Sequence, residues 1–161
     1  MIYEFCAENV TLLEKSMQAG ARRIELCDNL AVGGTTPSYG VTKAAVELAA
    51  NYDTTIMTMI RPRGGDFVYN DMEIAIMLED IRMTAQAGSQ GVVFGALSAD
   101  KKLDKPNLEK LIAASKGMEI VFHMAFDELS DEDQLEAIDW LSQTGVTRIL
   151  TRAGVSGDSL E

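Results

Sequence analysis

One connection recurs three times along the chain, and it limits the fold more than any other feature. Gln18-Ala19-Gly20-Ala21-Arg22-Arg23-Ile24-Glu25-Leu26, Gln86-Ala87-Gly88-Ser89-Gln90-Gly91-Val92-Val93-Phe94 and Gln143-Thr144-Gly145-Val146-Thr147-Arg148-Ile149-Leu150 share one shape. In each, a helical pattern stops, a glycine follows, and a β-rich run begins about four residues later. A glycine just past a helix takes left-handed backbone without a Cβ clash, so each segment reads as a helix-to-strand joint.

The remaining elements keep that rhythm. Strands are expected at Tyr3 to Asn9, Arg23 to Asp28, Thr54 to Arg61, Gly91 to Leu97, Glu119 to Phe126 and Arg148 to Thr151. Helices are expected at Val10 to Ala19, Ser38 to Asn51, Asp71 (as N-cap) to Ala87, Pro106 to Gly117 and Ser130 to Thr144. Alternating strands and helices imply parallel strands with right-handed crossovers. No Gly-x-Gly-x-x-Gly follows the first strand, so no nucleotide cofactor is expected. The fold class is α/β, a TIM-type (β/α) barrel. About six of the eight units of such a barrel are present, since eight would need roughly 200 residues or more. The expectation is a single domain over 1–161, truncated at its C-terminal end, where Gly154 to Glu161 reads as a loop and helix start. An unclosed sheet leaves edge strands, so a homo-oligomer, a dimer, is expected.

The bulk numbers exclude several partners. A formal net charge of −11 argues against nucleic acid and anionic membrane surfaces. No apolar run approaches a membrane span, and Glu4 stands where a signal peptide would be basic. A cytoplasmic protein with two reduced thiols, Cys6 and Cys27, is the reading.

Arg23-Ile24-Glu25-Leu26-Cys27-Asp28-Asn29-Leu30 with Gly33-Gly34-Thr35-Thr36-Pro37-Ser38-Tyr39-Gly40, and Met59-Ile60-Arg61-Pro62-Arg63-Gly64-Gly65-Asp66-Phe67-Val68-Tyr69, resemble the two hallmark stretches of the CutC family, named for copper homeostasis. Gly91-Val92-Val93-Phe94-Gly95, His123-Met124-Ala125-Phe126-Asp127 and Arg148-Ile149-Leu150-Thr151 extend the resemblance over essentially the whole chain. Met124 stands where the family usually has Arg, and Arg152 where a small residue is common. The family's last two strand–helix units have no counterpart in this chain. The resemblance implies a TIM-type barrel, a cytoplasmic location, and copper binding or trafficking.

Two constellations carry chemistry. Cys6 and Cys27 fall on neighbouring strands, where thiolates at similar height could share Cu(I), a soft ion content with few ligands, and Met57 and Met59 could add thioethers. Buried thiols and methionines filling a core are the alternative. The second constellation is a polar mouth. Glu8, Glu25, Arg61, Arg63, His123 and Asp127 would converge if the strand faces point inward. Glu25, His123 and Asp127 are the acid–base candidates, and Glu8, Asn29, Arg61 and Arg63 the substrate-binding ones, Arg61 and Arg63 suiting a small anionic metabolite. The alternative is a set of charges that satisfy one another inside a barrel. Two functions follow: Cu(I) handling, or a barrel enzyme acting on an anionic metabolite.

Overall fold

A computed structural model describes residues 2–152. The chain runs β1 (Glu4–Glu8), α1 (Leu13–Gln18), β2 (Arg23–Cys27), α2 (Tyr39–Ala49), β3 (Thr55–Met59), α3 (Asp71–Ala87), β4 (Gly91–Phe94), α4 (Lys105–Ala114), β5 (Glu119–Phe122), α5 (Asp131–Gln143) and β6 (Arg148–Ile149). Short 3₁₀ turns at Leu30–Val32 and Met124–Glu128 follow β2 and β5. All strand pairs are parallel, in sheet order β1-β2-β3-β4-β5-β6. This is six units of a (β/α) barrel curled into an open trough. The three repeated joints hold: Gly20, Gly88 and Gly145 lie at φ of 102°, 88° and 91°, one or two residues past a helix.

Alternation sorts every strand into two faces. Ile24 and Leu26, Ile56, Val92 and Phe94, and Ile120 and Phe122 point outward and are buried under the helices. Cys27, Met57, Met59, Val93 and Val121 point inward and form their own buried cluster. Sheet and helices therefore enclose one apolar layer, while the inside of the curl holds sulfur and charge. Full burial of a large apolar side chain stabilises by roughly 1.5–3 kcal/mol, so the larger outer layer carries most of the fold and the smaller inner cluster adds to it.

Several boundaries shift from the sequence expectation. The cap of α3 is Asn70, not Asp71: Asn70 Oδ1 accepts from the Glu73 amide, and Glu73 returns a bond to the Asn70 amide. Helix α1 begins at Leu13, because Asn9 and Leu12 take left-handed backbone and leave Val10 exposed. β5 stops at Phe122, because the His123 ring accepts the Ala125 amide and starts a turn in place of the ladder. The expected loop and helix start at 154–161 lies outside the described residues. Among those residues, no helix is long and apolar enough to cross a membrane.

Candidate metal centre

The register of β1 and β2 builds the centre. Cys6 pairs with Glu25, and Glu8 with Cys27. The period of two sends Cys6, Glu25 and Cys27 to the same inner face. The two sulfurs stand 4.0 Å apart. Glu25 Oε1 lies 3.8 Å from Cys6 Sγ and 3.7 Å from Cys27 Sγ. The three donor atoms lie within 4.8 Å of one another and could hold a metal ion. Cys27 is fully buried and Cys6 exposed, so the pair has a closed side and an open side. Cys6 and Glu25 border a cavity of about 470 Å³ on the inside of the trough, with Met124, Arg148 and Arg152 across it.

The electrostatics follow from that geometry. Cys27 donates its S–H toward Cys6, which holds the Cys6 thiol below its ordinary value. The same bond, then burial, then the Glu25 charge, push Cys27 strongly up. Burial, helped by the charge of Glu4, raises the Glu25 carboxyl. Glu4 itself bonds Arg23 at 3.0 Å, at the bottom of the trough. Of the two thiols, the inner one therefore holds its proton the more tightly.

Two methionines complete the wall, but not as neighbours of equal standing. Gly91 has room for the Met57 sulfur: a β-carbon there would stand 2.6 Å from Met57 Sδ. The Met57 thioether is therefore laid across β4. Gly34 closes the other side, and a β-carbon on it would stand 3.0 Å from Cys27 Sγ and 3.6 Å from Met59 Cε. This task of Gly34, leaving room for the inner thiol, has no sequence signal.

The structure separates the expected polar mouth into distinct groups. Glu25 stays with the thiols. Glu8 Oε2 accepts from the Leu30 amide at 2.6 Å, tying β1 to the loop after β2. Asn29, at φ 46°, accepts at its carbonyl from the Val32 and Gly34 amides and shapes that loop. Arg61 is buried and donates to the carbonyls of Val32, Gly34 and Gly65 at 2.8, 3.0 and 2.7 Å, with its guanidinium 4.8 Å from the Phe67 ring centre. Arg63 turns outward to Glu73 at 2.6 Å and Asp66 at 3.1 Å. His123 is buried against Phe67 at 4.8 Å between ring centres, and burial with the nearby Arg61 charge pulls its pKa down to about 3. Asp127 accepts from the Thr151 hydroxyl and, at 2.9 Å, from the Arg152 amide, anchoring the chain after β6. The one-mouth expectation fails because β3 and β5 end at Met59 and Phe122, and the residues beyond them follow their loops rather than the pleat.

Six parallel strands with five connecting helices around an inward-facing thiol pair define a TIM-type barrel protein with a candidate soft-metal centre. The chain belongs to the CutC family, whose model matches residues 1–161. It is 53% identical over 161 residues to a family protein CutC of Enterococcus faecalis, covering all of this chain and 77% of that protein. A solved structure described as a candidate copper homeostasis protein CutC from Streptococcus agalactiae superposes with a TM-score of 0.95 at 47% identity, covering 98% of this chain and 75% of that one. A candidate phosphonomutase structure from Burkholderia cenocepacia, 18% identical with a TM-score of 0.69, shares the fold alone and covers 94% of this chain and 62% of that one.

Proposed function

We propose that this chain handles Cu(I) in the cytoplasm, binding one ion between Cys6 and Cys27 with Glu25 beside it. The observation that carries the reading is the 4.0 Å separation of two sulfurs on one inner face. Metal–thiolate bonds run near 2.3 Å for zinc, so an ion between the sulfurs needs only a small opening of the pair. Thiolates select soft ions such as Cu(I) over the hard cations that carboxylate and carbonyl sites take. The exposed Cys6 takes the arriving ion, and the buried Cys27 gives up its proton as the second bond forms. The copper homeostasis wording attached to the Streptococcus agalactiae relative agrees with this reading.

An acid–base enzyme draws less support. Arg61 commits three of its Nη hydrogens to loop carbonyls, and His123 accepts a backbone amide at Nδ1. Among the described residues, Arg61 Nε and His123 Nε2 have no hydrogen-bond partner, but both side chains are buried, at 3% and 1% exposure.

The test is an anaerobic Cu(I) titration against a chromophoric chelator, on the chain and on Cys6→Ser and Cys27→Ser. One ion held more tightly than by the chelator, and lost in both variants, is the expected result. Equal curves for all three proteins would overturn the copper reading and return the thiols to the core.

A further inference from the structure

Buried sulfur is not spread evenly through this chain. Among the described residues, the inner cluster has five buried members, and three of them carry sulfur: Cys27, Met57 and Met59. The two outer clusters hold nineteen and nine buried residues, with one sulfur each, Met77 and Met17. Methionine chosen only to fill gaps would scatter over both layers, and leucine, isoleucine or valine would serve there as well. Sulfur is gathered instead on the face that carries the thiol pair.

The register tells which methionine stands at that pair. Glu25 is opposite Met57 and Leu26 opposite Thr58, so the next step along both strands brings Cys27 beside Met59. Neighbouring parallel strands lie about 4.8 Å apart, and side chains at matched positions share a face. Gly34 reports the same closeness independently. The place a β-carbon would take on that residue is 3.0 Å from Cys27 Sγ and 3.6 Å from Met59 Cε, so the thiol and the end of the thioether chain face one gap. Met57 is directed elsewhere: its Sδ would stand 2.6 Å from a β-carbon on Gly91, over β4 and away from β2. Exposure does not separate the two methionines, since both are fully buried; direction does.

We infer that Met59 gives Cu(I) a third sulfur on the buried side of the Cys6–Cys27 pair, and that Met57 does not. This assignment rests on the copper reading. A thioether is a soft donor that suits Cu(I). It carries no charge and no proton, so it lies buried without the desolvation cost of a third thiolate or a second carboxylate. With Cys6 at the rim and Cys27 and Met59 beneath it, the three donors draw the ion inward, off the open side of the trough.

The test is X-ray absorption at the copper edge on the full chain loaded with one Cu(I), prepared once with methionine and once with selenomethionine, together with chelator competition. Three sulfur neighbours are expected in the first preparation and one selenium neighbour in the second. Met59→Leu, which nearly conserves volume, should remove the selenium neighbour and weaken Cu(I) binding about tenfold or more, while Met57→Leu changes neither. Two sulfurs and no selenium in the wild type, or a Met59→Leu protein that holds Cu(I) as tightly as the wild type, would overturn the assignment and leave the two-thiol site standing. A wild type that holds no Cu(I) would overturn the copper reading itself, and the role of Met59 with it. The wild-type selenium signal decides the matter even where a variant fails to fold.

Discussion

Cys6 and Cys27 meet diagonally across β1 and β2, not side by side. The register sets Cys6 opposite Glu25 and Cys27 opposite Glu8, yet the sulfurs are 4.0 Å apart and Glu25 Oε1 touches both. The diagonal is what lets one carboxylate oxygen serve two thiols, because Glu25 stands between them on the same strand face.

Cu(I) affinity is expected to rise with pH. Cys27 is held protonated by its bond to Cys6 and by burial, so an ion that takes both sulfurs must displace that proton. Chelator competition at a series of pH values from mildly acidic to mildly alkaline should give a slope of at least about one proton per ion. A flat profile would mean that Cys27 is not a ligand.

Gly34→Ala should damage both stability and metal binding. The residue sits at φ 89°, where a β-carbon costs about 1–2 kcal/mol, and that carbon would also press on Cys27 Sγ at 3.0 Å. A loss of about 2 kcal/mol in urea unfolding, together with weaker Cu(I) retention, is expected. An unchanged copper affinity would show that the inner sulfur is free to move away.

His123 predicts an acid-side loss of stability. Its folded pKa is depressed to about 3 from an ordinary 6.5, so the unfolded chain binds the extra proton. The stability held by the neutral ring is fully present above pH 6.5 and falls away as pH drops from there toward 3, by up to about 1.4 kcal/mol per unit. Urea midpoints for wild type and His123→Gln, compared across that window, isolate the contribution. Parallel pH curves for the two proteins would contradict it.

Arg61→Met should destabilise by about 3 kcal/mol or more. It removes the donors for three loop carbonyls at once, and buried acceptors left unmatched cost about 1–3 kcal/mol each. Arg61→Lys should recover part of that loss, since one ammonium can reach fewer of the three carbonyls. Thermal melts followed by circular dichroism give the order; equal melting temperatures for wild type and Arg61→Met would remove the clamp role.

The sequence by itself determined the parallel alternating fold. Glycine past the helix in three joints and a period of two in each strand are local facts, and Gly20, Gly88 and Gly145 show the first without any contact. It also placed Cys6 and Cys27 on adjacent strands and Glu25 on the face of Cys27, because side-chain period needs only the strand start. Tertiary structure alone decided where the polar residues past the strands went. Arg61, Arg63, His123 and Asp127 lie beyond the last pleated residue, so alternation stops applying, and each follows whichever loop carbonyl, amide or carboxylate is nearest. Pairing register is likewise a three-dimensional quantity. A slip of one residue would have turned Cys6 away from Cys27, and what prevents it is the outer layer of Ile24, Leu26 and Ile56, which must face the helices to leave water.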